Sequence, residues 1–564
     1  MKARKILVAP FVAGALVLSA CGGGGGDAGG GSEPAESIAP ISSQDINIKD
    51  RGELAQGGTV RLSIADFGSN WNPNHVDGNN NGLSQARRAL IPQFFNFDPK
   101  GVPSPNPDWV VSAEETNANP TTVNFKLNPK AVWGDGSPVD ADDMTATWKA
   151  CNGENKEFNC AATQGYDQIA SITTGADKFD VTVTFKSTYP DWTQPFSYPG
   201  TLKAESVKDV TTFNTGWKNL NNDWLSGPFK VASFDNSQKV LTEVPNEKWW
   251  GEKPLLDTIT FRAISPDANA AAFANNELDA FDIGPDPDAY QRVKGVSDAS
   301  IRQAAGPNFR QFTFNTKAGV LTDQKVRQAI VKGLDREAIG ASDLAGIDWP
   351  VQPLNNNILL QNQEGYADVA KETGIDFDPE AAKADLDALG WTAGSDGIRE
   401  KDGKKLAVKF AQLSGVPVSA NEALQAQNML KEIGVKVDVV DVPVAKFQDG
   451  SVLSQHEFEI IAFSWIGTPY PFFGISQIYG TGSDSNYSQL SVPEIDENAK
   501  LINSETDKAK RIDLTNQTAK IIWENVMTLP LYQRPELIAV KTKLANYGAF
   551  GLSNPQWQNV GYEK

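Results

Sequence analysis

The sequence predicts an α/β protein with mixed sheets built around more than one hydrophobic core. Three observations lead there. About 510 residues follow an N-terminal low-complexity stretch, too many for a single core. The first part of that length is strand-rich, and from about residue 320 strands alternate with amphipathic helices in the manner of βαβ units.

Lys2, Arg4 and Lys5 precede an apolar run, Ile6 to Leu18, that is too short to cross a bilayer and reads as a secretory signal. Leu18-Ser19-Ala20-Cys21 is similar to the lipobox of bacterial lipoproteins, in which the signal is cut before the cysteine and the thiol carries a diacylglycerol. An ordinary signal peptide with a chance cysteine is the alternative. On the lipobox reading, residues 1–20 are the signal, Cys21 is lipidated, and residues 21–52 are a flexible Gly/Ser/Pro tether whose composition buries too little apolar surface to fold. The acyl chains are then the membrane anchor. The glycine run is not a phosphate loop, because no strand precedes it and no Gly-Lys-Ser/Thr follows.

The formal net charge is −19, and losing Lys2, Arg4 and Lys5 takes it to about −22, which argues against nucleic acid or anionic lipid as a partner. Besides Cys21 the chain has Cys151 and Cys160, in CNGENKEFNC. In an exported protein that spacing suggests a local disulfide, with two free thiols as the alternative. Neither histidine, His75 nor His456, lies near them in sequence, so no metal site is expected there.

Thr59–Ile64, Thr122–Leu127, Val181–Phe185, Phe229–Phe234, Lys239–Val244 and Thr258–Arg262 show strand alternation or β-branched enrichment, with Gly, Pro and Asn between them. After Thr322, which can cap a helix, Val326, Ala329, Ile330, Gly333 and Leu334 form a stripe of helical period. Asp378-Pro379 opens another helix, with Ala382, Leu386 and Leu389 on one face and Gly390 as its stop. Strand Leu406–Phe410, helix Ala420–Ile433 and strand Val435–Val440 then make a βαβ unit.

The next strand, Glu457–Trp465, runs into AFSWIGTPYPFFG, residues 462–474, with five aromatic side chains and no charge. Ile460 to Phe463 are apolar on both alternating faces, as in a strand covered on both sides. Ligands of open α/β sheets sit beyond the carboxyl ends of such strands, and Trp465, Ile466 and Gly467 occupy that end. The strand is therefore expected in the core and the loop at a crevice.

Little supports catalysis. Two histidines leave scant material for His-based acid–base work, and neither Gly-x-Ser-x-Gly nor His-Glu-x-x-His occurs. A carboxylate-pair glycosidase remains an alternative, although no spacing selects a pair among 70 acids. Asp77 to Gly82 matches the first half of a calcium loop, but its twelfth position is Arg88, and a polar turn is the better reading.

Seven segments in order carry a resemblance: FKLNPKAVWGDGSPVDADDMTATWKA (with Trp133, Asp135 and Gly136), SGPFKV (Gly227, Pro228), PNEKWWG (Asn246, Trp250), ANNELDAFDI (with Asn276 where glycine is usual), FTFNTKAGVLTDQKVRQAIVKGLDREAI (Phe314, Asn315, Thr316, Val326, Arg327, Ala329, Ile330), FDPEAAKADLDALGW and LKEIGVKV. From about Gly57 onward the chain resembles the peptide/opine/nickel-type family of extracytoplasmic solute-binding proteins, the receptors of ATP-binding-cassette importers.

The resemblance implies a two-lobed periplasmic-binding-protein-like fold of the large, three-subdomain class II type, with a hinge between the lobes. Lobe I comprises residues 53–93, 220–305 and 530–564 with an inserted subdomain at 94–219, and lobe II is 306–529. It implies a monomeric, non-enzymatic receptor without cofactor or metal, whose partners are a small peptide or peptide-like solute and the importer's permease subunits. In peptide-binding members the ligand is held as an added strand. An aspartate in the segment matching WIGTPYPFFG pairs with its α-amino group. This chain has no Asp or Glu from Ser464 through Ser483. The expected ligand-binding residues are Asp66, Phe67, Asn70 and Trp71 in SIADFGSNWNP, Asn308 beside the FTFNT segment, and Trp465, Ile466, Gly467 and Tyr470. Asp66 is one example of an acid that could replace that aspartate, with another acid as the alternative, and the aromatic rings could instead hold an uncharged or oligosaccharide-like solute.

Overall fold

The computed structural model describes residues 41–197 and 200–564; Cys21, the signal segment and most of the tether lie outside the described residues. The strands and helices that frame the site are, in chain order, β1 (Thr59–Ile64), α1 (Asn81–Arg87), β2 (Val110–Ala118), β3 (Thr121–Leu127), α2 (Ala141–Cys151), β4 (Ile169–Thr174), β5 (Asp180–Phe185), β6 (Phe229–Asp235), β7 (Val240–Pro245), β8 (Thr258–Ala263), β9 (Ala280–Asp282), β10 (Ala299–Phe314), α3 (Gln324–Lys332), α4 (Pro379–Ala388), β11 (Ala407–Ser414), α5 (Pro417–Glu432), β12 (Lys436–Pro443), β13 (Ile460–Ile466), α6 (Phe473–Tyr479), α7 (Lys508–Asn525) and β14 (Thr528–Lys541).

Ten of these strands form one mixed sheet in the order β12-β11-β13-β10-β14-β9-β1-β8-β7-β6, and β2-β3-β5-β4 form a separate four-stranded antiparallel sheet. Alternation drives the local choices: in β1, Val60, Leu62 and Ile64 turn inward while the residues between them do not. The α3 cap is Asp323 and not Thr322, because the Asp323 carboxylate accepts from Lys325 N–H at 2.8 Å while Thr322 closes a 3-10 turn. For α4, Asp378 accepts from Ala381 N–H at 2.9 Å, Pro379 occupies the first turn, and Gly390, with φ of +83°, lets the chain turn away.

β10 and β14 pair with each other along most of their length. Their register shifts between Ala305 and Phe309 and again between Arg310 and Gln311. Gly306-Pro307-Asn308 falls in the first shift: Pro307 offers no N–H to a ladder, and a Cβ on Gly306 would approach Arg534 O to 2.9 Å.

Two cores lie on either side of this crossing. The first gathers Trp133, Trp217 and Phe125 with residues returned by the C-terminal segment, such as Val540 and Trp557. The second gathers Phe312, Phe314, Ile330, Phe410 and Trp523. They are the cores of a two-lobed α/β fold. In the first lobe, Cys151 at the end of α2 is disulfide-bonded to Cys160, closing the polar loop between them.

One core group carries a pH signature. Glu243 on β7 is fully buried, neither carboxyl oxygen has a hydrogen-bond partner, and burial pushes its carboxyl well above the usual range. The fold therefore retains a proton that the unfolded chain releases, so this group's cost is absent below the ordinary carboxylate range and grows as pH rises toward the folded value. We expect the melting temperature of the wild type to fall more steeply between pH 5 and 8 than that of Glu243→Gln, measured by calorimetry. Parallel curves would show that the carboxyl is ionised in the fold.

Candidate functional site

β13 delivers the chain into the site. Ile460 to Phe463 are buried, whereas Ile466 is 70 % exposed. The parallel neighbour β11 pairs with β13 only at Phe410–Ile460 and Ala411–Ile461 and then follows β12. On the other side β13 is antiparallel to β10, with Trp465 opposite Phe309 and Gly467 N–H donating to Pro307 O at 2.7 Å. Because bonded and non-bonded pairs alternate in an antiparallel ladder, the main-chain groups of Ser464 and Ile466 point away from β10, toward the side that β11 has left. The second half of β13 is thus an unused strand edge. A glycine is needed where it ends, since a Cβ on Gly467 would meet Leu360 Cδ1 at 2.8 Å and Pro307 O at 2.9 Å.

This edge opens on a cavity of about 980 Å³, at the upper end of the range for small-ligand sites, about 300–1,000 Å³. It is lined by residues 464–471, by Asn79, Asn81 and Phe97, by the segment Gly551–Asn554, and by Gln194 and Ser197. The Trp465 ring stacks on Tyr487, 5.9 Å between centroids and 5° from parallel, and meets Phe463 edge-on at 5.4 Å. Its indole Nε1 has no hydrogen-bond partner.

A polar clasp joins Tyr470 to the segment after β5. The Tyr470 hydroxyl lies 2.8 Å from Thr193 Oγ1 and 2.7 Å from Ser197 Oγ, and its ring meets Phe97 edge-on at 5.8 Å. Burial raises the Tyr470 phenol above its ordinary value, so the group stays a neutral hydrogen-bonding hydroxyl. Beside it Arg511 on α7 grips Asp191 with two parallel bonds, Nη1 to Oδ1 at 2.8 Å and Nη2 to Oδ2. The same guanidinium donates Nε to Ile502 O at 2.8 Å and lies 3.9 Å over the Phe472 ring.

Of the residues expected at the site, Trp465, Ile466, Gly467 and Tyr470 share one wall of the cavity. Asn308 lies between the wall residues Pro307 and Phe309, opposite Ile466 in the ladder, with its side-chain oxygen unpartnered. Four others are corrected, since none lines the cavity. Phe67 and Trp71 are each 4 % exposed and pack on Phe234 at 4.9 and 5.3 Å, so they belong to the first core and not to the cavity wall. Asn70 is buried as loop scaffold, donating to Asn214 O at 3.0 Å and accepting from Asn72 N–H at 2.9 Å. Asp66 is exposed and accepts from Gly68 N–H at 2.6 Å and Asn80 Nδ2 at 3.0 Å, which shapes the turn into α1. Asn80 also caps α1, and among the described residues no three His, Cys, Asp or Glu side chains gather as a metal site. No helix of the described residues is long and apolar enough to cross a membrane.

Sequence reasoning missed Gln194, Ser197, Asn357, the Gly551–Asn554 segment and the Asp191–Arg511 pair. The last two are 320 positions apart, and no local pattern links them.

Residues 104–487 match the model of bacterial extracellular solute-binding proteins, family 5, middle region. The chain is 34% identical over 562 residues to an oligopeptide-binding protein, OppA, of Mycobacterium tuberculosis, covering 99% of this chain and 93% of that one. It is 25% identical over 427 residues to a probable monoacyl phosphatidylinositol tetramannoside-binding protein, LpqW, of the same species, covering 69% and 65%. Among solved structures, a periplasmic EDTA-binding protein, EppA, superposes with a TM-score of 0.83 at 24% identity, covering 94% of this chain and all of that one. The oligopeptide-binding protein AppA of Bacillus subtilis, in complex with a nonapeptide, gives 0.70 at 20% identity, with coverage of 91% and 100%.

Proposed function

Because the chain belongs to family 5 of the bacterial extracellular solute-binding proteins, the solute receptors of ATP-binding-cassette importers, we propose that its cleft captures a peptide or peptide-like solute for delivery to the importer's permease. The observation that carries the peptide reading is the open edge of β13 at Ser464 and Ile466, flush with the cavity. An extended peptide laid there gains main-chain hydrogen bonds that any sequence can make, while the rings of Trp465, Phe309 and Phe97 hold its side chains without demanding a particular one. The names of the mycobacterial and Bacillus relatives agree with this.

On this reading the protein binds and releases without breaking a bond, as its binding-protein relatives suggest, and works as a monomer held to the outer face of the cell membrane through lipidated Cys21. The division into lobe I (53–93, 220–305, 530–564), inserted subdomain (94–219) and lobe II (306–529) leaves β10 and β14 as the connecting strands. The register shifts at Gly306-Pro307-Asn308 make them the natural place for hinge motion. The lack of acids along the lining favours one other reading, a receptor of the same fold for a neutral, oligosaccharide-like solute stacked on Trp465.

Native mass spectrometry of the purified protein after exposure to peptide and oligosaccharide mixtures tests the assignment. Unchanged peptide should be recovered, and accumulating hydrolysis products would overturn the receptor. We further expect Trp465→Ala to weaken peptide affinity about tenfold or more, because a buried aromatic contact is worth about 1.5–3 kcal/mol. Melting should move little, since the ring is only partly buried before ligand arrives. Loss of stability with unchanged affinity would return Trp465 to the core.

A further inference from the structure

The chemistry of the cavity wall narrows the ligand further. Among the described residues that line it, one carries a formal charge, Arg88, and its guanidinium donates to Asn554 Oδ1. Among the described residues no carboxylate lines the wall. Three acids outside the lining are already engaged. Asp191 is bonded at both oxygens by Arg511 within the clasp. Asp66, exposed and outside the lining, accepts from Gly68 and Asn80 through Oδ1. Glu536 accepts from Gly551 N–H at 2.7 Å, and burial pushes its carboxyl up to about 8, so it is mostly protonated at neutral pH.

What the wall does offer is neutral and unused: the main-chain edge of β13 at Ser464 and Ile466, which β11 has left unpaired. An extended peptide completes such an edge with its own main chain, whatever its side chains. Amide N–H and C=O groups have the required chemistry. An ammonium group does not: it would leave water for a cavity whose single charge has the same sign.

We infer that the cavity recognises the uncharged interior of a peptide chain and does not read its α-amino terminus, so that N-blocked and cyclic peptides are ligands on a par with free-ended ones. This rests on the peptide reading above.

The test uses a synthetic octapeptide library randomised over uncharged residues, prepared with a free N-terminus, N-acetylated, and cyclised head to tail. Apparent affinities for the full purified protein are compared by competition. The inference expects the acetylated and cyclic sets to bind within threefold of the free set, or more tightly. It also expects Trp465→Phe, which narrows the ring at the wall, to weaken all three sets by a similar factor. Acetylated and cyclic sets at least tenfold weaker than the free set, or a Trp465→Phe loss confined to the free set, would overturn the inference and leave the peptide receptor standing. Retention of none of the three sets would overturn both, and binding of a neutral oligosaccharide in the same experiment would identify the replacement.

Discussion

Arg511→Gln should weaken contact between the lobes by about 3–5 kcal/mol, the cost of leaving one member of a buried ion pair without its partner. Arg511 and Asp191 are 8 % and 10 % exposed at their side chains, and the bond is bidentate, so little solvent is present to compensate. The pair joins α7 to the segment beyond β5, beside the Tyr470 hydroxyl with its contacts to Thr193 and Ser197. The expected result is a larger radius of gyration by small-angle scattering in the ligand-free variant and a weaker, faster-dissociating peptide complex. Each core stays intact, because neither depends on this contact. Asp191→Asn combined with Arg511→Gln should recover part of the loss, since replacing both charges removes the buried, uncompensated one. Scattering and affinity unchanged in Arg511→Gln would show that the pair contributes nothing to holding the lobes together.

The second large effect separates two tryptophans that look alike in sequence. Trp71→Ala should cost about 3–5 kcal/mol of stability, because it removes a large ring from a packed cluster with Phe67 and Phe234. Peptide affinity of the folded fraction should not change, because Trp71 is not part of the cavity wall. Denaturant unfolding gives the first quantity and titration of the folded protein the second. Full stability combined with lost binding would put Trp71 back at the ligand.

These contrasts show how much was legible in the chain. β1, β5 and the α4 cap follow from interactions within a few residues, alternation in the strands and an Asp-Pro start in the helix, so they appear in the sequence almost as they do in the fold. The α3 cap was misjudged by one residue because threonine and aspartate both cap helices and they stand side by side. Trp465 lines the cavity and ends a strand that is apolar on both faces, a position with a known geometric consequence. Phe67 and Trp71 also follow a strand, yet Phe234 on β6 covers them, and nothing near them in sequence announces it.

The sequence by itself determined the α/β class, the order of strands and helices, the family, and the lack of acids along residues 464–483. Only the tertiary structure decided that β11 leaves β13 halfway and bares an edge, that Asn357, Gln194 and Trp465 share one cavity, and that Arg511 spends its charge on Asp191. The physical reason is range. Periodicity and capping record forces between neighbours along the chain, whereas a cleft between two lobes is made of pairs hundreds of residues apart, whose meeting is set by how the two cores pack on β10 and β14.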